Sequence, residues 1–139
     1  MEEKKILTKE QEMAQKAWKC VSDRRSSFKD EDFDKYSSFA LAFPALIHSC
    51  GLVQAVAFAS RDDKDDKKSF LRDFMKDLQD VFNTIDKAGD LKVRSREAEL
   101  AEYSRISRHA LAAASWIKRY CQALDKQGNK GGMSLAELP

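Results

Sequence analysis

Glycine and proline are scarce here, five and two of 139 residues. With so few breakers and abundant Lys, Glu, Ala and Leu, the chain favours helix over sheet. No stretch alternates apolar and polar residues over a useful length, and no internal repeat is visible, which removes most all-β and solenoid architectures. Cysteine is equally sparse: Cys20, Cys50 and Cys121 are odd in number, lie far apart and form no Cys-x-x-Cys. That usage excludes a disulfide scaffold and fits an intracellular protein with buried free thiols. The opening Met-Glu-Glu-Lys-Lys lacks the apolar run of a signal peptide. The longest apolar stretch, Phe39 to Ala59, is interrupted by His48-Ser49-Cys50-Gly51, with Pro44 and Gln54 on either side. A membrane span needs about 20 predominantly apolar residues, so two buried helices with a break between them are expected instead. A cytoplasmic, soluble protein with no membrane partner is the expectation.

Catalytic and ligand-binding signatures are missing as well. There is no P-loop, no His-Glu-x-x-His and no dinucleotide fingerprint. His48 and Cys50 stand two apart, but a Cys–His nucleophile needs an orienting third group and an oxyanion site, and no Gly-rich turn supplies one. Zinc needs four N/S ligands, and the three Cys and two His are scattered without ligand spacing. The run Asp62, Asp63, Asp65, Asp66 lacks the glycine and terminal glutamate of a calcium loop and is interleaved with lysines. No catalytic residue, metal site or cofactor is therefore expected, and the chain is not expected to be an enzyme.

What is present reads as one helical domain over residues 1–139. Thr8-Lys9-Glu10-Gln11 has the form of a capping box. It opens a first helix running to about Phe28, with Met13 or Ala14, Ala17, Trp18, Val21 and Phe28 on its apolar stripe. A second helix carries Phe33, Tyr36, Ala40, Phe43 and Ile47, with a kink near Ala40 or a restart at Pro44 expected. Gly51 suits a helix-closing left-handed position, and Leu52 to Ala59 forms a short third helix. Arg61 to Lys68 is a charged loop. A fourth helix follows, with Phe70, Leu71, Phe74, Leu78, Val81, Phe82 and Ile85 on one face, ending at Ala88-Gly89-Asp90. The last helix is expected from near Arg94 to about Lys126, and residues 127–139 form a flexible tail.

Net charge is only +2, yet it is unevenly placed: residues 91–139 carry nine Lys/Arg against five Asp/Glu, and residues 31–90 carry eight against twelve. At roughly 100° per residue, Leu100, Tyr103, Ile106, Ala110, Leu111, Ala114, Ile117, Cys121 and Leu124 share the core side of the last helix. Opposite them, Arg94, Ala101, Arg105, Arg108, Ala112, Ser115, Arg119 and Lys126 form a stripe in which Glu97 is the only acid. Arginines separated by small residues let a phosphate backbone come close, and the guanidinium fork matches phosphate oxygens. The plain alternative is a solvated face paired with Glu97, Glu99 and Glu102. Trp116 borders the stripe, where a flat ring can stack on a base or a neighbouring chain; Tyr103 falls in the core and Tyr120 at the boundary.

Two segments then carry a resemblance. Leu41-Ala42-Phe43-Pro44-Ala45-Leu46-Ile47-His48-Ser49-Cys50-Gly51-Leu52-Val53-Gln54-Ala55-Val56-Ala57-Phe58 is one. Leu100-Ala101-Glu102-Tyr103-Ser104-Arg105-Ile106-Ser107-Arg108-His109-Ala110-Leu111, continuing to Trp116-Ile117-Lys118-Arg119-Tyr120, is the other. With the Met13-Ala14-x-x-Ala17-x-x-x-Val21 pattern, they resemble the small, all-helical subunit of the Cmr (type III-B) CRISPR RNA-guided effector complex. The matches spread over most of residues 13–124, while the loop at 61–68 and the tail after 127 match nothing.

That resemblance implies an all-α bundle of about five or six helices with a long C-terminal helix. It implies a non-catalytic subunit in several copies, self-associating in a filament beside other Cmr-complex subunits and the guide and target RNA. Specificity would then lie in base pairing, with the protein touching backbone. The RNA-contacting residues expected are Arg94, Arg105, Arg108, Arg119 and Trp116 of the last helix, with Lys16 and Lys19 as outward positions of the first. Three or four phosphate contacts per copy give a log-log salt slope of only about −2 to −3, so firm binding needs several copies along one strand. Two competing readings are a helical protein–protein interaction module without RNA contact and a duplex-DNA regulator. The latter lacks a clear helix-turn-helix.

Overall fold

The computed structural model describes residues 6–61 and 69–125, in six α-helices with no strand among them. They are α1 (Lys9–Ser27), α2 (Asp30–Cys50), α3 (Leu52–Ala59), α4 (Ser69–Phe82), α5 (Leu91–Glu97) and α6 (Leu100–Ala123). The aspartate-rich loop and the C-terminal tail lie outside the described residues.

The capping box forms as its sequence dictates. The Gln11 amide donates to Thr8 Oγ1 at 3.0 Å, and the Thr8 amide donates to Gln11 Oε1 at 2.8 Å. Met13, Ala17, Cys20 and Val21 are buried along α1. Trp18, expected on that stripe, is 45% exposed. It stands on the flank of α1 that meets α6, with its ring edge-on to Tyr120 at 5.3 Å.

α2 runs unbroken through Pro44, so the expected restart does not occur. The ring removes one amide donor, but Pro44 is buried between Phe43 and Ile47 of the same core face, and packing carries the helix past it. Gly51 then turns the chain at φ 84°. A Cβ there would sit 3.5 Å from the Tyr103 hydroxyl, and that hydroxyl accepts from the Val53 amide at 3.2 Å. A tertiary contact thus supplies the cap that α3 lacks locally.

The core is aromatic. Phe74 of α4 meets Phe43 at 4.9 Å, Phe39 at 5.1 Å and Tyr36 at 6.1 Å, at the tilted or edge-on angles that ring quadrupoles favour. Tyr36, Phe43, Phe74 and Phe82 are fully buried, and burying a Phe-sized side chain contributes roughly 1.5–3 kcal/mol. α6 lays Ile106, Ala110, Ala113, Ala114, Ile117 and Cys121 against α2, α1 and α4, the alanines allowing close approach.

The last helix begins later than its periodicity suggests. Residues 91–97 form the separate α5, and Ala98 and Glu99 are extended before α6 starts. α5 packs on α3 and buries Leu91, whereas α6 packs on α2, and one straight helix cannot do both. Leu100, expected in the core, opens α6 and is 81% exposed. α4 also ends early, at Phe82. Gln79 holds the following loop by donating to the Gly89 carbonyl at 2.9 Å and accepting from the Leu91 amide at 2.8 Å.

Candidate nucleic-acid interface

Because α6 commits its alanine-rich side to the core, its other side is left to solvent. Arg105, Arg108 and Arg119 are exposed there, with Ala112, Ser115 and Trp116 half-buried between them. Arg105, Ala112, Trp116 and Arg119 lie within about 60° on the helix wheel, Arg108 about 20° beyond. Ser115 folds its hydroxyl back onto the Leu111 carbonyl at 2.8 Å, which keeps the middle of the stripe low.

The arginines differ in their partners. Arg94 lies on α5 rather than on the long helix and forks onto Glu102 at 3.0 and 2.7 Å, so part of the basic stripe is neutralised by an acid named in the plain alternative. Arg105 forks onto Asp86, Nε to Oδ2 at 3.1 Å and Nη2 to Oδ1 at 3.3 Å. Arg108 and Arg119 have no ion pair among the described residues. Among the described residues they are the two fully available cations of the face; Lys126 of the expected stripe lies outside them.

Asp86 is the centre of a network that no motif announces. Its side chain is 4% exposed and accepts from Arg105, from the Ala88 amide at 2.9 Å and from His109 Nδ1 at 2.7 Å. Burial alone would raise its carboxyl pKa. The hydrogen bonds from Arg105, His109 and the Ala88 amide outweigh that and hold it below the ordinary carboxylate range. The same Asp86 hydrogen bond raises the Arg105 pKa.

Trp116 stacks on Tyr120 at 5.7 Å and 29°, and Tyr120 receives the edge of Trp18. One face of Trp116 is therefore occupied. Trp18 is the aromatic that the sequence reading misses, because its spacing from Ala17 and Val21 admits it to the core stripe.

Lys16 and Lys19 are not brought to this face. On α1 they stand about 160° and 100° from Trp18, the residue that points at α6. Lys16 instead lies on the flank where Cys20 meets Asp77 and Asp80 of α4. The structure thus gathers Arg105, Arg108, Trp116 and Arg119, attaches Arg94 through Glu102, and leaves the two lysines elsewhere.

Other chemical-looking groups have structural duties. His48 and Cys50 are both exposed, and about 200° on the wheel turns them apart. Cys50, expected to be buried, is left in solvent because α2 ends there. Cys20, Asp77 and Asp80 bring ligand-type atoms within 4.8 Å of one another. Yet both Asp77 oxygens are already taken by Arg24 and Tyr36. Burial, with Asp77 next in effect, pushes the Cys20 thiol up to about 12. A protonated thiol beside an engaged carboxylate fits a metal poorly.

Comparison with known proteins agrees with this architecture. The family model described as CRISPR-associated protein (Cas_Cmr5) matches residues 9–124. The CRISPR system Cmr subunit Cmr5 of Thermus thermophilus is 39% identical over 119 residues, covering 86% of this chain and 97% of that protein. The crystal structure of a CRISPR-associated Cmr5 family protein from Thermus thermophilus matches with a TM-score of 0.69 at 35% identity, over 86% of this chain and 98% of that one. Among the described residues, no helix is long and apolar enough to cross a membrane. The six-helix bundle, its long last helix and the family match across both place the chain in the Cmr5 family of CRISPR-associated proteins.

Proposed function

We propose that this protein is a non-catalytic structural subunit of a type III-B CRISPR (Cmr) ribonucleoprotein in the cytoplasm. It stacks in several copies beside the other Cmr subunits and touches the backbone of guide or target RNA. The observation that carries this reading is the outer face of α6, where Arg108 and Arg119 are exposed beside small residues, with no carboxylate partner among the described residues. Family membership supports the assembly; the cation stripe supports the RNA contact. The chemistry required is positioning alone, so no cofactor is needed.

The magnitudes suit a repeated subunit. With Arg94 engaged by Glu102, two or three phosphate contacts per copy remain, a log-log salt slope of about −1.4 to −2 for single strands. One copy binds weakly. Several copies on one strand gain effective concentration and hold it.

Native mass spectrometry of the tagged protein purified from its own host, before and after ribonuclease, tests this. The expected result is several copies co-eluting with larger subunits and a short guide RNA. A lone, RNA-free monomer from cells expressing the other subunits would contradict it. Assembly that survives ribonuclease and ignores RNA would instead make the stripe a docking face for an acidic protein partner.

A further inference from the structure

His109 stands beside the arginine stripe in a geometry that the proposed backbone contact does not use. It lies one turn after Arg105, about 40° round the helix, and its side chain is 31% exposed. Asp86 is ionised and therefore accepts only, so its 2.7 Å contact with His109 Nδ1 puts a hydrogen on that nitrogen. Nε2 is left without a partner among the described residues and is not among their buried unsatisfied atoms. It is therefore a ring nitrogen held in a fixed direction and open to solvent.

The charges around it decide what it can bind. Asp86 is matched by the Arg105 guanidinium, so the trio is near neutral when the imidazole is neutral and carries one positive charge when it is protonated. Arg108 adjoins on the solvent side, Glu102 bears on Arg105, and Lys87 follows Asp86 in the turn. With Nδ1 bonded to a carboxylate, the protonated ring offers Nε2–H as a charge-assisted donor, aimed away from the core. We infer that Asp86, Arg105 and His109 form a phosphodiester-binding site in which His109 Nε2 donates to an RNA phosphate oxygen, Asp86 acting as the positioning residue. This inference rests on the RNA-contacting reading above and names a residue and a protonation state for it.

A phosphate held this way favours the imidazolium, so binding takes up a proton. Target-RNA capture by the assembled complex should therefore weaken as pH rises at fixed salt, by up to about tenfold per pH unit for one proton taken up. His109→Asn is the informative variant: its amide still reaches Asp86 as a donor, but no atom replaces Nε2. Expected is an unchanged melting temperature, weaker capture at pH 6, and loss of most of the pH dependence.

Capture of the same strength and pH dependence in wild type and His109→Asn would overturn the inference, as would pH-independent capture by wild type. The Arg108→Glu, Arg119→Glu double variant separates the two claims. If it weakens capture while His109→Asn behaves as wild type, the RNA face stands and the histidine site falls. If His109→Asn changes only retention of the subunit in the complex, the site meets a neighbouring protein and the inference is likewise overturned.

Discussion

Asp77 and Asp86 are held alike, each nearly out of solvent at 2% and 5% residue exposure, with an arginine fork across both oxygens and a ring group on one of them. At Asp77 the fork is Arg24, at 2.9 and 3.0 Å, and the ring is Tyr36, donating at 2.6 Å. These partners are the more enclosed pair: the Arg24 side chain is 19% exposed, Tyr36 is fully buried, and burial, then Asp77, raises the Tyr36 pKa well above its ordinary value. This site ties α1, α2 and α4 together and presents nothing. At Asp86 the partners are Arg105, 45% exposed, and His109, and both open outward from α6. The same carboxylate chemistry acts as a bolt where three helices converge and as a mount where one helix faces water. Burial of the partners, not the identity of the centre, separates the two.

Breaking the bolt should have the largest effect. Asp77→Ala strands Tyr36 without its acceptor and leaves Arg24 only the longer 3.7 Å contact with Asp73, and removing one partner of a buried pair costs about 3–5 kcal/mol. Urea denaturation should show that loss; a change below about 1 kcal/mol would mean the site is not closed. The same variant should speed modification of Cys20, which lies against Asp77 and Asp80. In the wild type, a disulfide exchange reagent at neutral pH should label the exposed Cys50 quickly, while Cys20 and Cys121, whose thiols burial pushes up to about 12, resist. Two or three rapidly reacting thiols would contradict the buried placement.

Removing the mount should cost less. Asp86→Ala frees Arg105 and His109 to return to water, so about 1–2 kcal/mol is expected. Its pH signature is separable. The Asp86 pKa is lowered on folding, so its stabilisation is present above the ordinary carboxylate pKa of about 3.9 and is lost as pH falls through the lowered value. Thermal melts of Asp86→Asn should therefore decline less steeply in acid than those of the wild type. Parallel acid profiles would refute the coupling. The smallest effect should come from Arg105→Lys, which keeps the charge but loses the fork. The melting temperature should barely move, while Arg24→Lys at the closed site should lower it visibly.

Much of this architecture is legible locally, because capping boxes and apolar periodicity are local facts. Thr8 and Gln11, and the buried faces carrying Phe43, Phe74, Leu78, Ile106 and Ile117, follow from spacing alone. The break at Ala98 and Glu99 does not, since neither residue is a helix breaker. Burial of Leu91 against α3 and the Arg94–Glu102 fork decide it, and both are tertiary. Pro44 errs the other way: a local breaker is overruled by packing. The positions of Arg105, Arg108 and Arg119 on one face are readable on a helical wheel, but their partners are not. Asp86 is nineteen residues from Arg105, and nothing in the sequence pairs them. Lys19 is exposed as its spacing suggests, but Lys16 is half-buried on the flank toward α4, because the wheel of one helix says nothing about which face of the bundle it joins.

The most direct test of the account is target-RNA capture by the Cmr complex reconstituted with the Arg108→Glu, Arg119→Glu subunit, measured across a salt series against wild type. The account predicts unchanged assembly and melting, capture weakened by about tenfold or more, and a shallower salt slope, because each copy loses up to two phosphate contacts. Capture of wild-type strength with the same salt slope would contradict it and leave α6 a packing helix alone.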